Sequence, residues 1–194
     1  AHPELADTAL IRSLWLIAGD ADVESPATSG PEWNAAADPA ALAFLMESGL
    51  PIVWIPAFDG GLWTNKGRAS WFEVPLDELF STMDGDALDA MVLAWHRDWS
   101  PGGAPTTSEM DEFRAGIKSL WVSGLLTLVD PIDGGLRTVP GVLDTEEVSV
   151  SVDPATGVFR DGLVSVERLR LLDAERYASE MMERHREAMI DRTP

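Results

Sequence analysis

The sequence predicts an α/β domain: an open, mostly parallel sheet flanked by helices, then a C-terminal β-hairpin and a last helix. Three observations carry this. Ser13-Leu14-Trp15-Leu16-Ile17-Ala18 and Pro51-Ile52-Val53-Trp54-Ile55 are short apolar runs without alternation, the pattern of strands buried on both faces. A helix signal lies between them, and two such strands joined through a helix make a parallel βαβ unit. From residue 147 onward apolar and polar residues alternate, which marks a hairpin with one dry and one wet face.

The elements follow in order. Asp38-Pro39 offers an N-cap with proline at the first helical position, Leu42, Leu45 and Met46 share one helix face, and Gly49 is a stop. Residues 19–37 form a connection far longer than the few residues usual in such units. It leaves the C-terminal end of a parallel strand, the edge where open α/β sheets place their ligands. Residues 60–70 are rich in turn formers and carry Trp63, with Trp71 just after. Asp86 opens a helix marked by Leu88, Met91, Val92, Trp95 and Trp99, ended at Ser100-Pro101-Gly102-Gly103. Ser108-Glu109-Met110-Asp111 resembles a capping box, and the helix it starts carries Met110, Phe113, Ile117, Leu120, Leu125 and Leu128 to Asp130-Pro131. Val148, Val150 and Val152 form one hairpin strand, residues 153–157 a turn, and residues 158–166 the return. Asp173 caps a final helix that buries Tyr177, Met181 and Met189.

Composition limits the partners. The 194 residues, 45% hydrophobic and 24% charged, suit one globular domain over residues 1–194. A formal charge of −19, with no basic stripe against it, argues against nucleic acid. No run reaches the ~18 apolar residues of a membrane span, so no membrane partner is expected. The absence of cysteine removes disulfides, thiolate metal sites and thiol nucleophiles. A cytoplasmic location is the default expectation, and a homo-oligomer is compatible with it. The chain begins at Ala1, and the expectation is a domain lacking its N-terminal strands.

Few residues offer chemistry by themselves. His2, His96 and His185 have no metal-ligand spacing, and no nucleophile elbow or phosphate loop is present. Asp59-Gly60-Gly61 and Asp133-Gly134-Gly135 read as turns. Glu32 and Asn34 are two apart, and in an extended loop both would face one spot, a carboxylate and an amide suited to sugar hydroxyls. Equally, Glu32 would be solvated and Asn34 would satisfy loop backbone. The eight tryptophans would chiefly fill the core.

Gly30-Pro31-Glu32-Trp33-Asn34, three alanines and Asp38-Pro39-Ala40-Ala41 resemble the Glu-Phe-Asn…Asp-Pro-x-Ala-Ala stretch of inosine-uridine-preferring nucleoside hydrolases. Glu47-Ser48-Gly49-Leu50-Pro51-Ile52 resembles the family's next helix end and strand, and His2-Pro3-Glu4-Leu5-Ala6 the helix before the first strand here. The hairpin and the helix from Asp173 fit its C-terminal end. The resemblance implies a nucleoside-hydrolase-like fold with Rossmann-type layering. It also implies cleavage of the N-glycosidic bond of ribonucleosides to ribose and free base, as in purine and pyrimidine salvage. Glu32 and Asn34 would then bind ribose, Trp33 would stand where the family has phenylalanine, and Ca²⁺ would hold the ribose diol and activate water.

Three departures weigh against that chemistry. The family's aspartate-rich metal loop has no counterpart here, and Pro26 falls near the place of a further asparagine. Where the family has an aspartate at the start of a late helix, this chain reads Ser119-Leu120-Trp121-Val122-Ser123. Ca²⁺ needs roughly six to eight oxygens, so the ligands of the implied ion are not found in this chain, and no catalytic or metal residue is assigned. The alternative to a hydrolase is a non-catalytic relative that binds a sugar or nucleoside, or serves as an assembly module. A rearranged metal site using Asp59 or Asp130 is the third reading. In every case the chain alone is expected neither to bind calcium tightly nor to cleave nucleosides.

Overall fold

A computed structural model describes residues 11–24, 32–79, 106–121, 125–130 and 134–190, with positions 81, 85, 89, 90, 93 and 132 between them. The first half comprises β1 (Leu14–Ile17), α1 (Trp33–Ala37), α2 (Pro39–Met46), β2 (Ile52–Ile55), β3 (Phe72–Pro75) and α3 (Leu76–Leu79). The second comprises α4 (Thr107–Arg114), β4 (Ile117–Leu120), a 3₁₀ turn (Leu125–Leu128), β5 (Leu143–Val152), β6 (Phe159–Asp161), β7 (Val164–Leu171) and α5 (Ala174–Ile190).

The βαβ unit forms as its apolar runs require. β1 and β2 are parallel, with Leu14 opposite Ile52 and Ile17 opposite Ile55, and all four residues of β2 are buried. Asp38 caps α2 by accepting from Ala41 N at 2.9 Å, Leu42 and Met46 are buried, and Gly49 takes φ 75° after the helix. β7 adds to β2 in parallel, Trp54 opposite Arg168. β5 then runs antiparallel to β7, from Leu143 opposite Leu171 to Val150 opposite Val164. The sheet is therefore mixed, parallel on one side and antiparallel on the other.

The hairpin return is longer than the alternation suggested, and it is interrupted. Asp161 and Val164 both stand opposite Val150, so Gly162 and Leu163 are extra residues between β6 and β7. A Cβ on Gly162 would overlap the backbone of Val150 and Ser151, which is why glycine occupies this bulge.

The sheet has a core on each face. Ile52, Trp54, Val150, Phe159 and Val166 pack against Ala35, Leu42, Ala43 and Met46 of α1 and α2. Val53, Ile55, Leu143, Leu169 and Leu171 pack against Phe72, Val74, Leu76, Leu79, Leu125, Leu128, Tyr177 and Met181. Asp173 caps α5 through Arg176 N at 3.0 Å, and Tyr177 and Met181 are buried as expected. Met189 has no described side chain.

Two expectations are corrected. The single helix expected from residue 108 to 130 stops at Arg114, and Ile117–Leu120 instead forms a strand antiparallel to β3. Gly116 weakens the helix, and Phe72 and Val74 across the ladder offer β4 a partner that an isolated helix face lacks. The leucine spacing that imitated a helix serves a strand and then a 3₁₀ turn. The capping box also sits two residues early: Glu109 accepts from Thr106 N at 2.7 Å and donates its own N–H to Thr106 Oγ1 at 3.3 Å. The second correction is in the long connection, whose last five residues form α1.

Several expectations lie outside the described residues: His2, His96, Pro26, Pro31, Trp95, Trp99 and most of the helix from 86 to 99, although positions 85, 89, 90 and 93 are helical. Among the described residues, no helix is long and apolar enough to cross a membrane.

Tyr177 ties α5 to the segment after β2. Its hydroxyl donates to Ser70 O at 3.1 Å in the interior, its ring meets Phe72 edge-on, and burial pushes the phenol's pKa above the usual range. Tyr177→Phe leaves a buried carbonyl without its donor. Urea unfolding should report a loss of about 1–2 kcal/mol with an unchanged m-value.

Candidate ligand site at the C-terminal edge of the sheet

β1 and β2 both end at one edge, and the chain there continues in close register. Ala57 N donates to Gly19 O at 3.0 Å, Ala21 N donates to Phe58 O at 2.9 Å, and Asp20 bridges to Phe58. The loops 19–24 and 56–71 thus leave together, where open α/β sheets bind ligands. An open cavity of about 630 Å³ between Ser13, Pro51 and Glu167 lies at the opposite end, where β1 and β2 begin.

Glu32 belongs to this edge, as the sequence suggested, but it is not in an extended loop with Asn34. It is the N-cap of α1: Oε1 accepts from Asn34 N at 2.9 Å, and Oε2 accepts from Ala35 N at 3.2 Å and Gly19 N at 3.0 Å. One carboxylate thereby satisfies two orphan amides of a helix and pins that helix to the end of β1. Asn34 lies in the first turn, donates to Ile17 O at 3.2 Å, and is exposed. Trp33 projects away, 85% exposed.

Asp20, which no sequence motif marked, does comparable work. Its carboxylate accepts from Gly60 N at 2.8 Å, Gly61 N at 2.6 Å and Asp22 N at 2.9 Å. Asp59-Gly60-Gly61 is the turn it was read as, with φ 92° and 112° at the glycines. Asp59 is fully buried. Oδ2 accepts from Arg68 N at 3.1 Å and lies 3.4 Å from Arg68 Nε, while Oδ1 has no hydrogen-bond partner. Desolvation raises its pKa, aided by the nearby Asp20 charge and opposed by Arg68 and Lys66.

An aromatic shelf completes the edge. Trp63 contacts Phe58, Trp71 and Trp121 with ring centroids at 5.5, 6.2 and 5.8 Å, and Phe58 meets Trp121 at 6.2 Å. Trp63 has φ 60°, rare for a bulky residue, and remains 57% exposed. Trp71 Nε1 is buried without a partner. The expectation that tryptophans fill the core holds for Trp54, which is fully buried, but not for Trp33 or Trp63.

The described carboxylates of this edge do not fit a calcium ion. Asp20 and Glu32 each take three backbone N–H groups, Asp59 offers one oxygen beside a guanidinium, and calcium needs about six to eight oxygens. Among the described residues, no group of three or more acidic or histidine side chains converges. Asp130 is engaged by Ile132 N at 2.7 Å and Arg137 Nε at 3.1 Å, within its own loop. His185 is half-buried on α5, and desolvation lowers its pKa. The segment Ser119-Leu120-Trp121 lies on and just after β4, not at a helix start. Compared with known proteins, the chain matches no family model and no curated protein.

Two measurements test these roles. Glu32→Ala removes the acceptor of three amides, and chemical denaturation should show a loss of about 1–3 kcal/mol. Asp59 ionises near 3.8 when unfolded and higher when folded, so its contribution to stability declines as pH rises from 3.8 through the folded value. The difference in urea midpoint between Asp59→Asn and the parent should therefore widen in the variant's favour from pH 4 to pH 8. A constant difference would contradict the assignment.

Proposed function

We propose that the chain binds a nucleoside, or another small molecule carrying a ribose and a flat ring, at the C-terminal edge of β1 and β2. It does so as a binding relative of nucleoside hydrolases rather than as a calcium-dependent hydrolase. The observation that carries the reading is Trp63, more than half exposed above Phe58 and Trp121 at the ligand edge of the sheet. Stacking of a base on such a surface contributes about 1–3 kcal/mol and suits any flat ring. Asn34 spends one amide hydrogen on Ile17 O and keeps its carbonyl oxygen for a hydroxyl.

N-glycosidic hydrolysis is the reading the resemblance implies, and the bonding of the carboxylates weighs against it. A metal-held water needs unspent carboxylate oxygens, and those of Asp20 and Glu32 are occupied by backbone amides. Glu32 accordingly shapes the site by holding α1 against Gly19, and Trp33 is open to solvent on the same short helix.

Saturation-transfer NMR and calorimetry with purine and pyrimidine ribonucleosides test the proposal. Saturable binding is expected, weakened tenfold or more by Trp63→Ala, with no free base released over hours in the presence of Ca²⁺. Absence of binding at millimolar ligand would overturn the binding reading. Release of ribose and base by the chain would overturn its non-catalytic part.

A further inference from the structure

In a chain of net charge −19, four of the fourteen basic side chains line one cleft. Lys66 and Arg68 come from the turn after β2, Arg168 and Arg170 from the end of β7, and Glu146 is the one acidic residue in the lining. We infer that this cleft binds a phosphate-like dianion, so that the ligand of this edge is a phosphorylated one, a nucleoside monophosphate or sugar phosphate. The second half of that inference rests on the proposed function; the first stands without it.

The cleft is built by main-chain pairing. Leu171 N donates to Gly67 O, which fastens the turn to the end of β7. Gly67, at φ 115°, would bring a Cβ to 3.5 Å from Leu171 O. Because Trp54 stands opposite Arg168 in parallel register, this end of β7 reaches the same edge as the aromatic shelf. The volume, about 380 Å³, lies within the roughly 300–1,000 Å³ of small-molecule sites.

The guanidinium of Arg168 is preset. It donates to Ala21 O at 3.1 Å and to Glu146 Oε1 at 2.7 and 3.2 Å, and it lies 5.6 Å from the Trp54 ring centroid. Arg68 and Lys66 are held more loosely, each 3.4 Å from one carboxylate, Asp59 and Asp22. Arg170 is exposed and makes no ion pair with the described residues, although Asp144 stands across from it in the ladder. Among the described residues, four cations thus face three carboxylate partners in ion pairs, two of them at 3.4 Å. A planar fork and a point charge are what phosphate oxygens take up. The global negative charge does not cancel this. A polyanion would meet the acidic surface, whereas a small dianion responds mainly to charges within a Debye length, about 8 Å at physiological salt.

Calorimetry with inorganic phosphate, a ribonucleoside and its 5′-monophosphate tests the inference on the intact chain. Phosphate should bind saturably, the monophosphate at least tenfold more tightly than the nucleoside, and both gains should vanish in Arg170→Glu. That position is exposed and unpaired among the described residues, so the variant should fold, which circular dichroism checks. Trp63→Ala should weaken nucleoside and monophosphate together and leave inorganic phosphate unchanged. No phosphate binding at millimolar concentration, or full binding by Arg170→Glu, would overturn the inference. If the nucleoside binds as tightly as its monophosphate, the cleft assignment falls and the proposed function stands. If phosphate binds and the nucleoside does not, the cleft stands and the nucleoside reading falls.

Discussion

The C-terminal edge of the sheet depends on Trp54. This side chain is fully buried on β2, in the core on the α1–α2 face of the sheet. Its Nε1–H donates to Ala18 O at 2.8 Å, just past the end of β1. Its ring stacks on Phe159 at 4.4 Å and 4°, which brings the hairpin onto the helix-side core. The Arg168 guanidinium, held by Ala21 O and Glu146, lies 5.6 Å from the same ring. A buried indole needs a partner for its polar atom, and Ala18 O supplies it without leaving the strand. Hydrophobic burial and the placement of the edge loops are here one constraint.

From that anchor the carboxylates acquire their roles. Asp20 lies two residues beyond Ala18 and closes the 59–61 turn by taking two glycine amides. Glu32 takes Gly19 N and caps α1, whose Ala35 is fully buried. The close approach continues on α1's other side, where a Cβ on Gly157 would overlap the backbone of Ala35. Acid groups that would serve a metal in another setting are here acceptors for backbone N–H groups, which are costly to leave unpaired in a folded interior. Asp20 and Glu32 thereby tie the loops of this edge to one another and to α1.

The fold was legible where its signal was local. Continuous apolar runs marked β1 and β2, Asp38-Pro39 and Gly49 bounded α2, and Asp173 opened α5. Alternating valines marked the hairpin. What failed to show was the pairing of β3 with β4, since the partners are more than forty residues apart and Leu120, Leu125 and Leu128 keep a spacing a helix shares. The extra residues at Gly162 and Leu163 were hidden for a similar reason: alternation reads through a bulge. At the edge, the sequence placed Glu32 and Asn34 in the right segment but not in the right geometry. Their i, i+2 spacing means one direction in a loop and quite another when Glu32 caps a helix that contains Asn34. Asp20, Arg68 and Arg168 carried no motif, and only the register of β7 against β2 brings Arg168 to the edge.

The strain at Trp63 weighs on the functional reading in a specific way. A left-handed backbone costs a bulky residue about 1–2 kcal/mol, and glycines already serve nearby at positions 60, 61 and 67. Edge-on contacts with Phe58 and Trp71 and the tilted contact with Trp121 can offset that cost, at about 0.5–1.5 kcal/mol for a well-placed pair. Strain by itself therefore requires no ligand. The exposure does the separating. A tryptophan kept only for packing gains by burying its ring, yet this one leaves 57% of its surface open while Trp54, on the strand just before it, is sealed. The conformation holds the indole outward at the edge where the sheet's loops converge, and that exposure is what the nucleoside-binding proposal rests on.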